Sequence, residues 1–480
     1  MFDIKVNPTN KIADYIGKLV FPFLMLYFAF YLFFAIFSLS YPYQIDYGEG
    51  FLLNQAKMLS EGKNIYKDIS EMPFIISNYP PLYPLIWSFF VRFLGVSFFG
   101  GRLISIFSCL LTSIIIYKLV LKNTGDRKVA IISGLIFLAS PYVYFWGVLA
   151  RVDFLGLFLS LFGIYLILEK QKSGVFLSIP VFVASIFTKQ SFIVAPISAF
   201  IYLLFRKERK LALKFGSYLL IPSLALFSFL NCITENQFFY HVLLYNANPF
   251  SLYLAISSYI SFLWKHWGIL LLSLYFLTTE KNDGKTLLKI YFFLSSLFAF
   301  TVGKVGSSVN YFLEVIAVSS MLSGFSVHRI MESENEQIKK FLNLILILQM
   351  VSFAHAPFVH PSEPSFHDLE ANRIISEQIK GMNKLLSEDG GILVINGKEI
   401  YFQPFEFTQL AIQGMWDDEN IVKEIRKRSF EAIILEFSID CMDKSVHYER
   451  FTPKIVESIK DNYYLSHRIG KFFIYLPKPE

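Results

Sequence analysis

The sequence predicts a polytopic α-helical membrane protein with about 11 transmembrane helices and a small extracytoplasmic α/β domain at its C-terminus. Three observations lead to this fold class. The 480 residues are 54% hydrophobic, and their apolar runs approach the length that crosses a bilayer. Lysine and arginine recur in every second loop, as they do in the cytoplasmic loops of membrane proteins. Near residue 360 the apolar runs shorten and charged residues become frequent, which indicates a folded domain outside the membrane.

The first apolar run, residues 19–40, is predicted to be a retained membrane helix. It is too long for the core of a signal peptide, and it lacks a cleavage site of small residues. Lysines precede it, and positive charge there places the N-terminus in the cytoplasm. Residues 265–267 interrupt a later run with a charge, so part of 249–278 is either a span or an interfacial or re-entrant helix. The later runs lie near 101–119, 129–147, 154–168, 175–188, 191–205, 212–230, 253–278, 287–303, 309–327 and 341–359.

The basic loops predict the orientation of the chain. Counted from a cytoplasmic N-terminus, the basic inner loops are 118–128, 169–174, 206–214, 279–289 and 328–340. The net charge of +6 is therefore explained by these loops, without nucleic-acid binding. We expect an integral protein of a bacterial or archaeal plasma membrane. Residues 1–359 would form its membrane domain, with a long outer loop over 41–100, and 360–480 its extracytoplasmic domain.

The tail beyond residue 360 has the pattern of a small α/β domain. Residues 371–386 predict an amphipathic helix, and 419–428 predict a second helix. Short apolar runs at 391–395 and 432–435 predict buried strands, and 471–475 predict a late strand. The tail shows no catalytic motif of its own.

The strongest candidate site in the sequence is a pair of acidic residues just after the first span. Asp46 and Glu49 stand three residues apart, and Gly48 and Gly50 interleave with them. A carboxylate in such a place suits a general base that takes a proton from an acceptor hydroxyl. The glycines would let backbone and substrate approach closely. The alternative is a solvated acidic turn with no chemical role.

Further motifs follow this pair along the chain. They are the stretch 56–66 that ends at Tyr66, Pro80-Pro81-Leu82, Gly95 with Arg102, Arg151-Val152-Asp153, Thr188-Lys189-Gln190 and the segment 306–314. Together they resemble the GT-C glycosyltransferase superfamily, particularly its protein O-mannosyltransferase and lipid A aminoarabinose transferase branch. The likeness covers most of 19–330. Many members place the two acidic residues side by side, whereas Tyr47 and Gly48 separate them here. Asp46 is the favoured base, with Glu49 as a substrate or metal contact.

The resemblance implies a GT-C-like membrane enzyme. It would transfer a hexosyl or pentosyl group from a polyprenyl-phosphate sugar to a hydroxyl of a lipid, glycan or protein outside the cytoplasm, with inversion. No G-x-G-x-x-G loop for a nucleotide is evident. A transporter or lipid flippase is the main alternative, because it shares the many spans and the intramembrane charge. A non-catalytic glycan-binding protein is the third.

Four basic residues stand on the outer side, where the positive-inside rule does not predict them. A polyprenyl phosphate would explain them, because arginine and lysine stabilise the charge that grows on a leaving phosphate. Snorkelling to lipid headgroups is the alternative explanation. The four predicted phosphate-binding residues are Arg102, Arg151, Lys189 and Lys304.

Several polar residues complete the predicted site. Asp153 would orient Arg151, assist the acceptor or hold a divalent cation, unless it forms a simple ion pair. The cofactor stays unknown, with Glu49 and Asp153 as the candidate metal ligands. Asn310 and Glu314 lie four residues apart, hence on one helix face. With Tyr66 they would line a cavity and bind sugar; helix packing is the alternative for this pair.

Overall fold

The computed structural model describes residues 8–280, 285–354, 364, 366–440 and 449–479. Within these residues, six helical segments are long and apolar enough to cross a membrane, and three shorter apolar helices accompany them. The protein is therefore an integral membrane protein, and the predicted polytopic helical class is confirmed. The count of about 11 spans stays a prediction. The six segments are Leu19–Ser40, Phe99–Thr124, Arg209–Ile233, Leu252–Thr279, Thr286–Gly303 and Val309–Met331, and the shorter helices are Leu82–Leu94, Lys172–Thr188 and Val194–Phe205.

The helices of the membrane region pack around α13, whose residues are almost all buried. Short 3-10 turns at Ala299–Gly303 and Val309–Phe312 link the last spans on the side of the candidate site. The helices are α1 Pro8–Ser40, α2 Tyr47–Ser60, α3 Leu82–Leu94, α4 Phe99–Thr124, α5 Arg127–Ala139, α6 Pro141–Trp146, α7 Asp153–Thr188, α8 Val194–Phe205, α9 Arg209–Ile233, α10 Gln237–Phe239, α11 Leu252–Thr279, α12 Thr286–Phe298, α13 Leu313–Met331 and α14 Glu336–Phe353.

Helix α7 turns back on itself and so acts as two antiparallel spans. It is helical over 36 residues, and a straight helix of that length would separate its ends by roughly 50 Å. Instead the side chains of Ser160 and Ser185 lie 2.9 Å apart. Lys189, the residue that follows α7, pairs with Asp153 at its start at 2.7 Å. The hairpin agrees with the predicted spans 154–168 and 175–188, and it brings two candidate site residues together.

Helix α11 runs without interruption through residues 265–267, so this stretch is neither a separate interfacial helix nor a re-entrant one. The buried Gln349 of α14 supports it there. The Gln349 side-chain oxygen, Oε1, accepts hydrogen bonds from the Gly268 and Ile269 backbone amides at 2.7 and 3.2 Å. The Gln349 side-chain amide donates to the Lys265 carbonyl at 2.8 Å. These bonds satisfy backbone groups that would be costly to leave unpaired in an apolar surrounding.

The tail forms the predicted small α/β domain, built on a four-stranded sheet of order β1-β2-β4-β3. Strands β1 and β2 are parallel, and the other pairs are antiparallel. The strands are β1 Leu385–Ser387, β2 Ala432–Leu435, β3 Tyr463–Ile469 and β4 Phe472–Pro477. The helices are α15 Phe366–Gln378, α16 Gly390–Ile395, α17 Pro404–Ile412, α18 Glu419–Arg426 and α19 Pro453–Asn462. The predicted domain boundary at residue 360 lies outside the described residues.

One strand prediction is wrong. Residues 391–395 form helix α16, because the Asp389 carboxylate caps it by accepting the Ile392 amide hydrogen bond at 2.9 Å. The predicted strands at 432–435 and 471–475 are confirmed as β2 and β4. The helix predicted over 371–386 ends earlier, at Gln378, and β1 occupies its expected last turn.

The tail and the loop between α2 and α3, which the sequence predicts to be an outer loop, share one hydrophobic core. Phe74 of the loop packs with Phe402 and Phe407 of the tail. Its amide donates to the Tyr401 carbonyl at 2.9 Å, and its carbonyl accepts the Gln403 amide at 3.0 Å. The tail therefore lies directly on the loop that carries the acidic pair, and it is held there by backbone bonds as well as by apolar contacts.

Candidate active site

Asp46 and Glu49 form a capping box at the start of α2. The Asp46 Oδ2 atom accepts the Gly48 amide hydrogen bond at 3.0 Å. The Glu49 carboxylate reaches back and accepts the amides of Ile45 at 2.6 Å and of Asp46 at 3.4 Å. The three-residue spacing therefore serves the helix start. It also points the two carboxylates to different surroundings, so they have different roles.

Glu49 pairs with Arg102, and both side chains are fully buried. The Arg102 Nε and Nη2 atoms donate to the two Glu49 oxygens at 3.1 and 2.8 Å. The Ala150 amide also donates to Glu49 Oε1, at 2.6 Å. Burial raises the pKa of the Glu49 carboxyl, but Arg102 and the backbone donors outweigh it and hold the pKa below its usual value. The remaining Arg102 donors bond to the carbonyls of Ser38, Tyr41 and Tyr43.

This saturated pair fastens the outer loop to α4. Neither residue lines the cavity described below. A phosphate contact for Arg102 and a substrate or metal contact for Glu49, as the sequence suggested, do not fit this placement. The position indicates that both residues hold the loop that presents Asp46.

Asp46 and Arg151 form the exposed counterpart of this buried pair. Arg151 Nη1 lies 3.0 Å from Asp46 Oδ2, and the two side chains keep 15% and 23% of their surface exposed. Arg151 Nη2 also donates to the Tyr79 hydroxyl at 3.5 Å. The guanidinium lies against Gly48, where any Cβ would overlap Nη1. The sequence predicted that Gly48 lets a substrate approach the backbone closely. In the structure the group that approaches Gly48 closely is the Arg151 side chain.

Asp153 orients Lys189 rather than Arg151. Its Oδ1 atom accepts from Lys189 Nζ at 2.7 Å and from the Asn310 amide nitrogen at 2.8 Å. Its Oδ2 atom accepts from the Trp146 indole at 2.8 Å. Asp153 is only 1% exposed and does not line the cavity, whereas Lys189 and Asn310 do. Asp153 is therefore placed to hold Lys189 at the cavity wall.

Lys304 is the least neutralised cation of the set. Its ammonium group donates to Asn246, at 3.0 Å to the carbonyl and 2.9 Å to the side-chain oxygen, and it also interacts with the Tyr311 hydroxyl. Within the described residues no carboxylate lies within ion-pair distance of it. Burial lowers the pKa of Lys304 and the nearby Lys189 charge lowers it further, although Tyr311 opposes them in part. A bound anion would oppose both effects.

These side chains meet in one cavity of about 650 Å³. Of the predicted site residues, it is lined by Asp46, Arg151, Lys189, Lys304 and Asn310. Buried polar atoms that have no hydrogen-bond partner among the described residues gather around it. They include Asn78 Oδ1, Arg151 Nε, Gln190 Oε1, Asn310 Oδ1, Glu406 Oε2 and Arg450 Nη1. Such atoms are rare in folded proteins, so their concentration here favours a polar ligand.

Glu314 and Tyr66, which the sequence placed in the cavity, lie behind its wall. Glu314 accepts a hydrogen bond from the Tyr291 hydroxyl at 2.7 Å and is 7% exposed. The Tyr66 hydroxyl donates to the Tyr79 carbonyl at 2.8 Å. Tyr66 thus supports Tyr79, which does line the cavity. Both residues are placed to shape the site without touching its contents.

The tail also reaches this cavity, through residues that the sequence did not mark as candidates. Phe405, Glu406, Glu449 and Arg450 line it, although they follow Asp46 by more than 350 residues. None of them belongs to a recognisable motif. No local signal could have placed them here, because the sheet and the loop core determine their position.

The residues proposed as metal ligands do not fit a cation. Glu49 and Asp153 are each engaged by a basic side chain and by further donors. In the part of the chain that the structure describes, no group of three or more histidine, cysteine, aspartate or glutamate side chains could hold a metal ion. We therefore derive no chemical step through a metal.

Comparison with solved structures identifies the architecture. ArnT from Cupriavidus metallidurans bound to undecaprenyl phosphate superposes with a TM-score of 0.63 at 13% identity, over 95% of this chain and 99% of that one. The Archaeoglobus fulgidus oligosaccharyltransferase tethered with an acceptor peptide gives 0.52 at 10% identity, over 95% and 74%. Both are GT-C glycosyltransferases. The chain has the GT-C fold.

This GT-C fold confirms the predicted resemblance. The sequence family described as dolichyl-phosphate-mannose-protein mannosyltransferase matches residues 78–233, which include Arg151 and Lys189. A comparison with curated protein sequences finds no match. The A. fulgidus oligosaccharyltransferase also superposes as a complex with Zn and sulfate, with a TM-score of 0.52 at 10% identity over 93% and 73% of the two chains. At such identities the likeness establishes the GT-C fold and not the substrates.

Proposed function

We propose that the chain is a membrane glycosyltransferase that uses a polyprenyl-phosphate sugar as donor. It passes a hexosyl or pentosyl group to a hydroxyl of a lipid, glycan or protein on the extracytoplasmic side, with inversion. The observation that carries the proposal is the single cavity that combines the Asp46 carboxylate with Arg151, Lys189 and Lys304. The undecaprenyl phosphate bound by ArnT, a protein of the same fold, supports the choice of donor.

The charges of the cavity favour a phosphate. Arg151 is balanced by Asp46 and Lys189 by Asp153, whereas among the described residues Lys304 contacts Asn246 and Tyr311 and forms no ion pair with a carboxylate. A phosphate ester would complete this balance. When its bond to the sugar breaks, the phosphate gains negative charge, and cations already in place stabilise that charge without reorganisation. Lys304 and Lys189 are the proposed phosphate ligands, with Arg151 beside them.

Asp46 is the proposed general base. Its contacts with Gly48 and Arg151 both use Oδ2, so within the described residues Oδ1 is left for a substrate. The acceptor oxygen would attack the anomeric carbon on the side away from the phosphate. Its bond to that carbon forms as the carbon–oxygen bond to phosphate breaks, and Oδ1 takes the hydroxyl proton. The single displacement inverts the anomeric configuration.

The orientation of the site rests on the basic loops. The inner-loop lysines and arginines favour a cytoplasmic N-terminus and an outer position for the first loop and the tail. Donors linked to polyprenyl phosphate carry their sugar at the membrane surface, where the cavity opens beside the helix ends. Reporter fusions that place loop 41–100 in the cytosol would contradict this part of the proposal.

The direct test is a transfer assay with the purified full chain in proteoliposomes. Radiolabelled undecaprenyl-phosphate sugars would be offered with membrane lipids, glycans and proteins as a broad acceptor pool. We expect label to move to an acceptor with release of undecaprenyl phosphate. Movement of the labelled lipid between leaflets without any transfer would instead support the flippase alternative and exclude the proposed reaction.

Replacing Lys304 by methionine should weaken the binding of undecaprenyl phosphate by roughly ten-fold or more, because a charged hydrogen bond to the phosphate is lost. Stability should change little, since Lys304 forms no ion pair with a carboxylate of the described residues and its side chain bonds to Asn246 and Tyr311 alone among them. The measurement is a titration of the lipid into detergent-purified protein. Lys63→Met is the matched control, because Lys63 is 60% exposed and distant from the cavity lining. Equal affinities for the two variants would remove Lys304 from the phosphate site.

Replacing Gly48 by alanine should lower the transfer rate without unfolding α2. Alanine is a better helix former than glycine by about 1 kcal/mol, so the helix itself gains. Its Cβ would overlap Arg151 Nη1, the mobile end of a side chain, and push the guanidinium away from Asp46. Transfer rate and melting temperature would be measured together. Gly381→Ala, where a Cβ meets nothing within 4 Å, should leave the rate unchanged, and a fully active Gly48→Ala would contradict the need for this contact.

A further inference from the structure

The start of α17 joins two parts of the cavity wall. The Phe405 amide donates to the Tyr47 hydroxyl at 3.1 Å, next to Asp46. The Phe405 ring lies so close to Gly306 that a Cβ there would meet it at 2.5 Å. Gly306 follows Lys304 by two residues, in a backbone conformation with φ of +82°. The C-terminal domain therefore contacts both the loop of the proposed base and the loop of the proposed phosphate ligand.

Arg450 presents an oriented donor at this wall. Its guanidinium carbon lies 3.9 Å from the centroid of the Tyr47 ring, and stacking on an aromatic face fixes its plane. Its Nε atom is 3.9 Å from Glu388, a long ion pair. Its Nη1 atom is buried and has no hydrogen-bond partner among the described residues.

Glu406 presents a complementary group beside it. Its Oε2 atom is also buried without a hydrogen-bond partner in the described part of the chain. Burial raises the pKa of the Glu406 carboxyl to about 7; hydrogen bonds with its own backbone and with the Gln403 side chain, and the Arg450 and Arg151 charges, oppose this only in part. Near neutral pH the carboxyl can therefore either accept or donate a hydrogen bond. Buried polar atoms are nearly always paired in folded proteins, so two open atoms on neighbouring side chains indicate a shared ligand.

The chemistry of the pair selects the ligand. A guanidinium donates to a hydroxyl oxygen, and a carboxylate accepts the hydroxyl hydrogen. An additional anion is disfavoured by ionised Glu406, and a cation by Arg450 and Arg151. We propose that Glu406 and Arg450 of the C-terminal domain bind the hydroxyl groups of a neutral sugar in this cavity. The inference rests on the proposed function, and the sugar is either that of the donor or that of a glycan acceptor.

Binding measurements on the full chain distinguish these sources. The probes are undecaprenyl phosphate alone and undecaprenyl phosphate carrying mannose, glucose, galactose or N-acetylglucosamine. If Glu406 and Arg450 bind the donor sugar, Glu406→Gln and Arg450→Gln should lower the affinity for the sugar-bearing lipid roughly ten-fold. The affinity for undecaprenyl phosphate alone should stay unchanged. If the acceptor is bound, lipid affinities should stay constant. The KM of the transfer reaction for the acceptor should then rise roughly ten-fold, measured with the fraction of the acceptor pool that the wild type glycosylates.

Matched controls carry the same chemical changes on exposed faces of the same domain. Glu457→Gln on α19 and Arg373→Gln on α15 should leave every constant unchanged. Melting temperatures identify any variant that is destabilised. If Arg450→Gln is destabilised, the inference is judged on Glu406→Gln, which keeps the size of the side chain. Unchanged affinities and an unchanged acceptor KM in Glu406→Gln would overturn the inference. Failure of the wild type to bind any undecaprenyl lipid would instead overturn the proposed function.

Discussion

Replacing Asp46 by asparagine should abolish sugar transfer and leave the protein folded. A positioned general base contributes roughly 10²- to 10⁴-fold to a rate, and asparagine cannot take a proton. Asparagine is as good a helix N-cap as aspartate, so α2 keeps its start. Binding of undecaprenyl phosphate should persist, because Lys189 and Lys304 are untouched. Transfer rate, lipid affinity and melting temperature together separate a chemical defect from a structural one.

The chain offers a matched control for this substitution. Asp126 caps α5, accepts the amides of Lys128 and Val129 at 2.8 and 3.1 Å, and does not line the cavity. Asp126→Asn makes the same change in the same structural role, so transfer should continue at the wild-type rate. If Asp46→Asn also retained full transfer, Asp46 would not be the base. Glu406 and Glu449, the other carboxyl side chains that line the cavity, would then become the candidates.

The acidic pair shows both the reach and the limit of sequence reasoning. The sequence alone indicated that Asp46 and Glu49 begin the outer loop, and the structure places Asp46 at the cavity. Glu49 was grouped with it because both are acidic. Yet Asp-x-x-Glu before an apolar run is also the pattern of a capping box. That signal could have separated the two carboxylates in advance, by assigning Glu49 to the backbone at the start of α2.

The four outer basic residues show a second limit. Loop charge counts single these cations out as unexpected on the predicted outer side, but charge counts do not reveal partners. Arg102 is sealed against Glu49, Lys189 is held by Asp153, and Lys304 has no carboxylate partner within the described residues. Only the fold of the α7 hairpin brings Asp153 to Lys189, from 36 residues away. Partners at such separations are set by packing, which the local pattern does not contain.

The tail illustrates the third limit. Its mixed helix and strand character was predictable, and β2 and β4 were assigned correctly. Residues 391–395 were assigned wrongly because a short apolar run suits a buried helix as well as a strand. The docking of the tail depends on Phe74 pairing beside Phe402, a contact between distant segments. The cavity contribution of Glu406 and Arg450 follows from that docking and was therefore out of reach.

Replacing Arg102 by glutamine should destabilise the protein more than any other single change considered. It would leave the Glu49 carboxylate buried without its counter-charge, and breaking a buried ion pair costs about 3–5 kcal/mol. It would also remove donors from the carbonyls of Ser38, Tyr41 and Tyr43. The measurement is the melting temperature of detergent-purified protein. Arg92→Gln, on an exposed position of α3, should melt as the wild type does.

A second substitution separates this structural role from phosphate binding. Adding Glu49→Gln to Arg102→Gln removes the stranded charge, so part of the lost melting temperature should return. If Arg102 instead bound the donor phosphate, Arg102→Gln would melt normally and lose lipid affinity, and Glu49→Gln would restore nothing. The expected effects at the two carboxylates of the loop are therefore opposite. Neutralising Asp46 should abolish sugar transfer without lowering the melting temperature, whereas removing the partner of Glu49 should lower the melting temperature.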